Sequence, residues 1–358
     1  MKATHNNEFK TRERLIEHYR TYPCMRVTDI FKYVFQSSFG CEHLVSDFDA
    51  ALGYIRRELA TVNENDTPLV EQLDGEYSRV YLSYISCGLS AETLAKIFCL
   101  SAKSEPDGRT ALCSKLQTVR ELVREGVLPF SEAELDRDIK EWCDMGYPAV
   151  RHSEDFRAAY RPAYRVISDK YVRLLPLLTR IDTLLRQGRV ILAIDGGCAA
   201  GKSTLADTLQ RIYDCTVFHM DDYFLRPEQR TAQRYREIGG NVDRERFEAE
   251  ILKPLSEKRD TITYMPFNCT TQELESPVCV VPKGLIIVEG SYSMHPDLFG
   301  YYDSSVYLDV DIETRRARIL ERNSQRIAER FFNEWIPLEE TYFSNMRVRE
   351  RADIVIEN

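Results

Sequence analysis

A short apolar segment followed by a glycine-rich loop constrains this chain more than any other feature of its sequence. Residues 190–194 form an uninterrupted, β-branched apolar run, typical of a strand buried on both faces of a parallel sheet. The run leads into the pattern GxxxxGK(S/T), whose fixed positions are Gly196, Gly201, Lys202 and Ser203. Residues 205–213 then predict a helix. A strand before the pattern and a helix after it form the context of a phosphate-binding loop.

The chemistry of this loop predicts a nucleoside triphosphate, ATP with Mg²⁺, as the cofactor. Glycines let the backbone turn its N–H groups toward a phosphate, and the helix N-terminus adds its dipole. Lys202 supplies charge to the β and γ phosphates, and the Ser203 hydroxyl can ligate Mg²⁺. A glycine-rich turn without a ligand would leave Lys202 unexplained. The predicted cofactor-binding residues of the loop are Gly196, Gly197, Ala200, Gly201, Lys202, Ser203 and Thr204.

Length and charge narrow the class of protein. A chain of 358 residues suits two domains, and its net charge of −9 argues against a general nucleic-acid or anionic-membrane surface. No stretch approaches a membrane span, and the N-terminal residues lack the apolar core of a signal peptide. Ten cysteines without CxxC pairs predict free thiols. We therefore expect a cytoplasmic protein that binds neither nucleic acid nor membrane; a homo-oligomer is compatible with the sequence.

The two halves of the chain have different patterns. Residues 1–186 carry apolar residues at helical spacing and predict an all-α accessory domain whose last helix covers about 164–185. The basic residue and glycine at 186–188 end that helix, so residues 187–358 form the second domain. Polar segments at 35–43 and 151–154 of the first half mix polar and aromatic residues without a recognisable chemistry.

The second half alternates short apolar strands with helical segments. Strands are predicted at 190–194, 216–219, 285–288, 306–310 and 354–356. Such alternation indicates an α/β fold, a doubly wound parallel sheet of the P-loop NTPase type. Ligands bind at the carboxyl ends of the strands in this architecture, so the residues that follow each strand are candidates for the site.

Carboxylates follow two of these strands. Asp221 and Asp222 come after the second strand, where a carboxylate could accept a proton from an attacking hydroxyl and help to hold Mg²⁺. Glu289 follows the third strand and could join the Mg²⁺ shell. The alternatives are a helix cap for the aspartates and an ordinary strand-end acid for Glu289.

A row of arginines follows the fourth strand. Arg315, Arg318, Arg322 and Arg326 are spaced by three, four and four residues, which places them on one face of a single helix. The row could clamp the charge that develops on a transferring phosphoryl group, with Arg322 catalytic and Arg318 bound to the nucleotide. Alternatively, the acidic residues Glu313, Glu321 and Glu329 could simply pair with these arginines.

Taken together, residues 189–358 resemble the uridine kinase family, within the wider group that includes phosphoribulokinase and pantothenate kinase. The resemblance rests on segments at 194–204, 220–224, 241–247, 288–290, 309–326 and 351–356. It implies that Asp221 is the general base, that Ser203 and Glu289 serve Mg²⁺, and that Asp243 contacts the sugar. It also implies that Arg318 or Arg322 belongs to a mobile lid, for which residues 322–335 are the candidate.

The sequence differs from the family in the segment that binds the acceptor. Nucleoside-phosphorylating members carry a Tyr-Asp pair followed by His and Arg, whereas Phe267 and Asn268 stand here and Gln272 lies near the His position. Phe267 and Gln272 are the predicted substrate-binding residues. A phosphotransferase acting on a nucleoside such as uridine or cytidine is the first hypothesis. The alternatives are a different acceptor, namely a sugar, sugar phosphate or pantothenate-like alcohol, and an ATP-dependent switch that controls the helical half.

Overall fold

The computed structural model describes residues 2–41, 47–62, 69–102 and 108–357, with the side chains of residues 2–9 excepted. The chain divides into two units, Met1–Asp182 and Thr183–Asn358. The division falls near the predicted boundary, within the last helix predicted for the N-terminal half. Among the described residues, no helix has both the length and the apolar character that crossing a membrane requires.

The N-terminal unit is built mainly from helices, as predicted. They are α1 Lys2–Thr21, α2 Val27–Phe39, α3 Phe48–Leu59, α4 Ala91–Ser101, α5 Gly108–Arg124, α6 Glu132–Asp144, α7 Glu154–Tyr160, α8 Asp169–Val172 and α9 Leu175–Leu185, the last of which runs past the division. Side chains that accept from a backbone N–H of the first turn cap α4, α6 and α7 at Ser90, Ser131 and Ser153. The apolar stripe of α5 is buried, including Leu112, Leu116 and Val119, which is why its spacing predicted a helix.

The N-terminal unit also contains a small sheet that the sequence did not predict. The antiparallel strands β1 Val70–Gln72, β2 Tyr77–Tyr81 and β3 Tyr164–Ser168 lie in that order. The prediction of one helix over 164–185 is therefore wrong in its first part, where Tyr164–Ser168 pairs with Tyr77–Tyr81. Apolar residues in this short segment fit either period, and pairing with β2, far away in sequence, selects the strand.

A buried polar network fills the centre of the N-terminal unit. Arg79 donates to Gln36 Oε1 at 2.8 and 3.0 Å and to Glu71 Oε2 at 3.2 Å. His18 Nδ1 lies 2.6 Å from Glu71 Oε1. The polar segments 35–43 and 151–154 thus contribute buried hydrogen bonds to this unit through Gln36 and His152. Glu42 and His43 of the first segment lie outside the described residues.

His152 connects two parts of this network. Its Nδ1 lies 2.8 Å from Asp29 Oδ1, and its Nε2 lies 2.6 Å from the Tyr164 hydroxyl. Burial lowers the pKa of His152 to about 4, against the stabilising charge of Asp29. The neutral ring therefore donates through Nδ1 to Asp29 and accepts the Tyr164 hydroxyl through Nε2.

We expect acid to destabilise the N-terminal unit through His152. The pKa of His152 is lower in the folded chain than its ordinary value of 6.5, so its contribution to stability is present above pH 6.5 and is lost as the pH falls toward 4. This difference in the pKa of His152 corresponds to roughly 3 kcal/mol in the free energy of unfolding. His152→Gln should flatten the dependence of Tm on pH between 7.5 and 4.5. Unfolding is measured by the fluorescence of Trp142 in a Trp335→Phe background. The slope should not vanish, because burial also lowers the pKa of His18. An unchanged slope would contradict this role of His152.

The C-terminal unit is organised around five parallel strands, which confirms the predicted α/β fold. The strands are β4 Val190–Gly196, β5 Cys215–His219, β10 Leu285–Glu289, β11 Ser304–Asp309 and β12 Ile354–Glu357, in the order β12-β11-β4-β10-β5. Each coincides with a predicted strand. The register pairs Glu289 with both Ile194 and His219, so the carboxyl ends of β4, β10 and the edge strand β5 lie side by side.

Helices and short hairpins complete the C-terminal unit. The helices are α10 Lys202–Ile212, α11 Arg244–Phe247, α12 Lys253–Ser256, α13 Pro296–Phe299, α14 Ile312–Arg322, α15 Gln325–Arg330, α16 Ile336–Met346 and α17 Val348–Arg351. Two short antiparallel pairs join β6 Ile262–Tyr264 to β9 Val278–Val280 and β7 Phe267–Asn268 to β8 Glu273–Leu274. The core is the sheet itself, because all residues of β4 and β10 are buried. Each fully buried Ile or Val is worth about 1.5–3 kcal/mol, which makes the sheet a rigid support for the loops at its edge.

Candidate active site

The glycine-rich loop connects the end of β4 to the start of α10. Gly196 has a φ of +149°, and a Cβ at this position would lie 2.9 Å from Leu308 O on the neighbouring strand. Only glycine allows this backbone conformation and this approach. Lys202 opens α10, and its Nζ donates to Gly196 O at 2.8 Å, Gly197 O at 3.0 Å and Ser291 Oγ at 3.2 Å. The ammonium group is thus held over the loop, where the sequence predicted phosphates.

A buried aspartate anchors the loop from below. Asp195 is fully buried and accepts from Gly196 N at 2.7 Å, Met294 N at 2.9 Å and the Tyr342 hydroxyl at 2.8 Å. Burial raises the pKa of Asp195 to about 6, although these donors oppose the shift. Sequence reasoning missed this residue. Its signal was a carboxylate inside an otherwise apolar buried strand.

Carboxylates from two strands meet beside the loop. Glu289, at the end of β10, accepts from Ser203 Oγ at 3.1 Å and lies 2.6 Å from His219 Nδ1 at the end of β5. The contact with Glu289 raises the pKa of His219, more than burial lowers it. His219 was not among the predicted site residues, because only the pairing of β5 with β10 brings it to Glu289.

Asp221 belongs to the same cluster. It lies in the helical turn Met220–Tyr223, directly after β5, and it is exposed. Partial desolvation raises its pKa, while the charge of Lys202 lowers it and the charge of Glu289 raises it again. Gly290 has a φ of +143°, and a Cβ there would lie 2.5 Å from Met220 Cβ. This glycine therefore permits the close approach of the segments that carry Glu289 and Asp221.

The oxygen atoms in this cluster fit Mg²⁺. The Ser203 hydroxyl and the Glu289 carboxylate are adjacent hard ligands. The charge of Glu289 also acts on the Asp221 carboxylate, whose pKa it raises. Mg²⁺ prefers one or two protein oxygens together with phosphate oxygens and water. Ser203 and Glu289 are the residues that would hold the ion, with Asp221 nearby.

The arginine row is divided between two environments. Arg315 is buried and donates to Cys198 O at 3.0 Å, Glu339 Oε2 at 2.9 Å and Glu340 Oε1 at 3.0 Å. Arg318 donates to Ala199 O at 3.1 Å, so its guanidinium lies against the loop. The acids that Arg315 contacts thus belong to α16. They differ from the predicted partners Glu313, Glu321 and Glu329.

The end of α14 separates Arg322 from Arg326. Helix α14 stops at Arg322, where Asn323 is extended with a ψ of 155° and its side chain donates to Ile319 O at 2.9 Å. Arg326 belongs to the separate helix α15, so the prediction of four arginines on one helical face is wrong for this member. Asparagine competes for backbone carbonyls and ends helices, a signal that the spacing argument overlooked. Arg322 is exposed and makes no hydrogen bond or ion pair within the described part of the chain.

The predicted sugar contact Asp243 is buried and already has partners. It caps α11 by accepting from Arg246 N at 3.3 Å, and it accepts from Gln229 Nε2 at 2.9 Å. Asp243 also lines an open pocket of about 370 Å³ together with Leu225, Gln229, Thr231, Gln233, Arg234, Glu237 and Glu245. The carboxylate thus combines a structural role with a position at the edge of a pocket.

Phe267 and Gln272 lie on the short hairpin formed by β7 and β8. Phe267 is buried, and Gln272 occupies the turn with a φ of +63° and donates to Cys269 O. In the same hairpin, burial and the charge of Asp221 raise the pKa of Cys269.

Comparisons with known proteins find similarity only to parts of this chain. No protein family and no curated protein match the sequence. Among solved structures, a possible uridine kinase from Bacillus stearothermophilus shares 24% identity over 51% of this chain and 99% of its own, with a TM-score of 0.38. A candidate fructose transport system kinase from a Silicibacter species shares 21% identity over 47% of this chain and 89% of its own, with a TM-score of 0.39. At these values the likeness does not identify a substrate.

Proposed function

We propose that this protein is an ATP-dependent phosphotransferase that moves the γ-phosphoryl group of MgATP to a hydroxyl of a small acceptor. The observation that carries the proposal is the convergence of Lys202, the Ser203–Glu289 pair and Asp221 at the carboxyl ends of β4, β5 and β10. A cation over a glycine-rich loop, a pair of oxygen ligands and a carboxylate base are the parts that phosphoryl transfer requires.

The reaction assigns a separate task to each of these groups. Lys202 neutralises charge on the β and γ phosphates, and the backbone N–H groups of the loop hold the phosphates in place. Asp221 accepts the proton of the acceptor hydroxyl as the new P–O bond forms and the bond from the γ phosphorus to the bridging oxygen of ADP breaks. Mg²⁺, when bound, neutralises phosphate oxygens. Most of the rate enhancement then comes from positioning and electrostatics.

A lid over the phosphates is part of the proposal. The candidate segment is residues 322–335, which include α15, and within it Ala328 packs with Ile319 and Ile336. Phe331 and Phe332 pack against this small cluster, as do Cys198 and Ala199 of the loop. The segment is therefore anchored beside the loop, and exposed Arg322 stands at its start. Closure would exclude water and bring Arg322 or Arg318 to the transferring group.

A nucleoside such as uridine or cytidine is the first acceptor to consider, on the resemblance to the uridine kinase family. A different sugar, a sugar phosphate or a pantothenate-like alcohol is the second, and specific observations favour it. Asp243 is engaged with Gln229 and Arg246, and Gln272 turns back onto Cys269 O. An ATP-dependent switch would not need Asp221, a base beside the phosphate loop.

Acceptor-dependent release of ADP tests the proposal. The panel contains uridine, cytidine, other nucleosides, hexoses, ribulose 5-phosphate and pantothenate, each with MgATP and the full chain. We expect one class to stimulate ADP release and to gain the mass of one phosphoryl group. Release of ADP at the same rate with every acceptor and with none would instead favour the switch.

A further inference from the structure

A buried glutamate far from the loop in sequence closes the hydrogen-bond network of the loop. Glu339, on α16, is only 4% exposed. Its two carboxylate oxygens accept from Cys198 N at 3.0 and 2.8 Å. It also accepts from Ser291 Oγ at 2.7 Å and from Arg315 Nη2 at 2.9 Å. A buried carboxylate with this many donors, two of them from loop segments of the site, is held in a single position.

Ser291 extends the influence of Glu339 to Lys202. The Ser291 hydroxyl donates to Glu339 and accepts from Lys202 Nζ at 3.2 Å. The lysine that is predicted to neutralise the β and γ phosphates is therefore linked to Glu339 through a single side chain. We expect a shift of α16 to reach the ammonium group through Ser291.

Arg315 forms a second connection between α16 and the loop. Its guanidinium covers Gly197 so closely that a Cβ there would lie 2.1 Å from Arg315 Cζ. The guanidinium donates to Glu339 Oε2 at 2.9 Å and to Cys198 O at 3.0 Å. Cys198 is thus bound at its N–H by Glu339 and at its C=O by Arg315.

Helix α16 follows directly on the proposed lid. Residues 322–335 lead into α16 at Ile336, and Glu339 lies in the first turn of that helix. Phe331 and Phe332 of this segment and Cys198 and Ala199 of the loop all pack against the same small apolar cluster. Glu339 thus joins the helix that continues this segment to Cys198 of the loop.

We propose that Glu339 is a positioning residue that sets Lys202 and the phosphate loop for transfer and couples them to the segment that covers the site. This inference rests on the proposed phosphotransferase function. Glu339 acts through Ser291, Cys198 and Arg315 and contacts no reacting atom. Glu339 differs from a residue whose buried ion pair only stabilises the fold. Its substitution should lower turnover without weakening nucleotide binding.

The charge of Glu339 predicts that division of effects. A carboxylate beside a site for a polyanion opposes binding of the polyanion, so its removal does not weaken MgATP binding electrostatically. Misplacement of Lys202, by contrast, lowers the rate of transfer steeply. Substitution of a residue that only stabilised the fold would lower Tm, nucleotide affinity and turnover together.

The test compares Glu339→Gln with Glu340→Gln in the full chain. Glu340 is the adjacent residue and also contacts Arg315, but its side chain is 56% exposed and binds only Nη1. For Glu339→Gln we expect kcat to fall roughly 10- to 100-fold while the Kd for MgATP stays within threefold of the wild-type value or tightens. Glu340→Gln should stay within about twofold in both. An unchanged kcat, or a parallel loss of kcat, affinity and Tm, in Glu339→Gln would overturn the proposal.

Ser291→Ala supplies a second test that leaves the Glu339–Arg315 pair in place. Because it removes the link to Lys202, kcat should fall at least threefold with Tm unchanged. A kcat equal to that of the wild type would contradict the link between Glu339 and Lys202.

A binding cycle separates this inference from the proposed function. Lys202→Ala should weaken MgATP binding less in the Glu339→Gln background than in the wild type, because the ammonium is no longer held in place. Equal losses in the two backgrounds would overturn the positioning role. If the wild-type protein binds MgATP but phosphorylates no acceptor, the proposed function fails, and the binding cycle still decides the role of Glu339.

Discussion

Lys202→Ala is expected to lower phosphoryl transfer by about 100- to 1,000-fold while leaving the fold intact. The ammonium group is held over the loop by Gly196 O, Gly197 O and Ser291 Oγ, where it can meet the charge of the β and γ phosphates. Its removal takes away a preorganised charge at the place where negative charge moves during transfer. The measurement is kcat with a responsive acceptor, together with the Kd for MgATP and the Tm.

Lys283→Ala is the matched control for this change. Lys283 precedes β10, at the opposite end of the strand from Glu289, and pairs with Asp214 at the surface. Its loss should leave kcat within about twofold, because exposed ion pairs contribute little. If Lys202→Ala retained full activity, the assignment of the loop as the phosphate site would be wrong.

Asp221→Asn should lower the rate by about 100- to 10,000-fold and leave MgATP binding nearly unchanged. The amide keeps the size of the side chain but cannot accept the proton of the acceptor hydroxyl. Partial desolvation raises the pKa of Asp221, which strengthens it as a base while it remains beside the charge of Lys202. Single-turnover transfer with saturating MgATP measures the chemical step directly.

The neighbouring carboxylate provides the control for the base. Asp222 lies in the same turn, and the Asp222 backbone O accepts from Arg246 at 3.1 Å. Asp222→Asn should cost less than tenfold in the same assay. A larger loss in Asp222→Asn than in Asp221→Asn would transfer the role of base to the second aspartate.

The sheet of the C-terminal unit could be predicted from the sequence because its strands are short, apolar and buried on both faces. Such runs as 190–194 and 285–288 have no helical interpretation once a phosphate-binding pattern follows the first of them. The loop and the residues after the strands could be predicted for the same reason, since the order of parallel strands brings their carboxyl ends together.

Residues whose role depends on contacts distant in sequence could not be predicted. Glu339 reaches Cys198 only because α16 packs beside the loop, and nothing in its local sequence indicates this. His219 meets Glu289 through the register of β5 and β10. In the N-terminal unit, β3 forms because β2 pairs with it, whereas its own five residues are too few to separate a strand from a helix.

The arginine row shows the limit of a spacing argument. Helical spacing of three and four residues holds from Arg315 to Arg322, and it fails at Arg326 because Asn323 ends the helix first. Spacing also could not show that Arg315 is held by Glu339 and Glu340, while Arg322 remains exposed. Tertiary partners thus decide which arginine is free to meet a phosphate.

Transfer of label from γ-³²P-ATP tests the central claim most directly. The full chain is incubated with labelled MgATP and pooled nucleosides, sugars, sugar phosphates and pantothenate, and the products are separated into organic phosphate and inorganic phosphate. We predict that label appears in an organic phosphate, and that Asp221→Asn lowers the rate at which it forms at least about 100-fold. Label found only in inorganic phosphate, at a rate that no acceptor changes, would contradict a phosphotransferase.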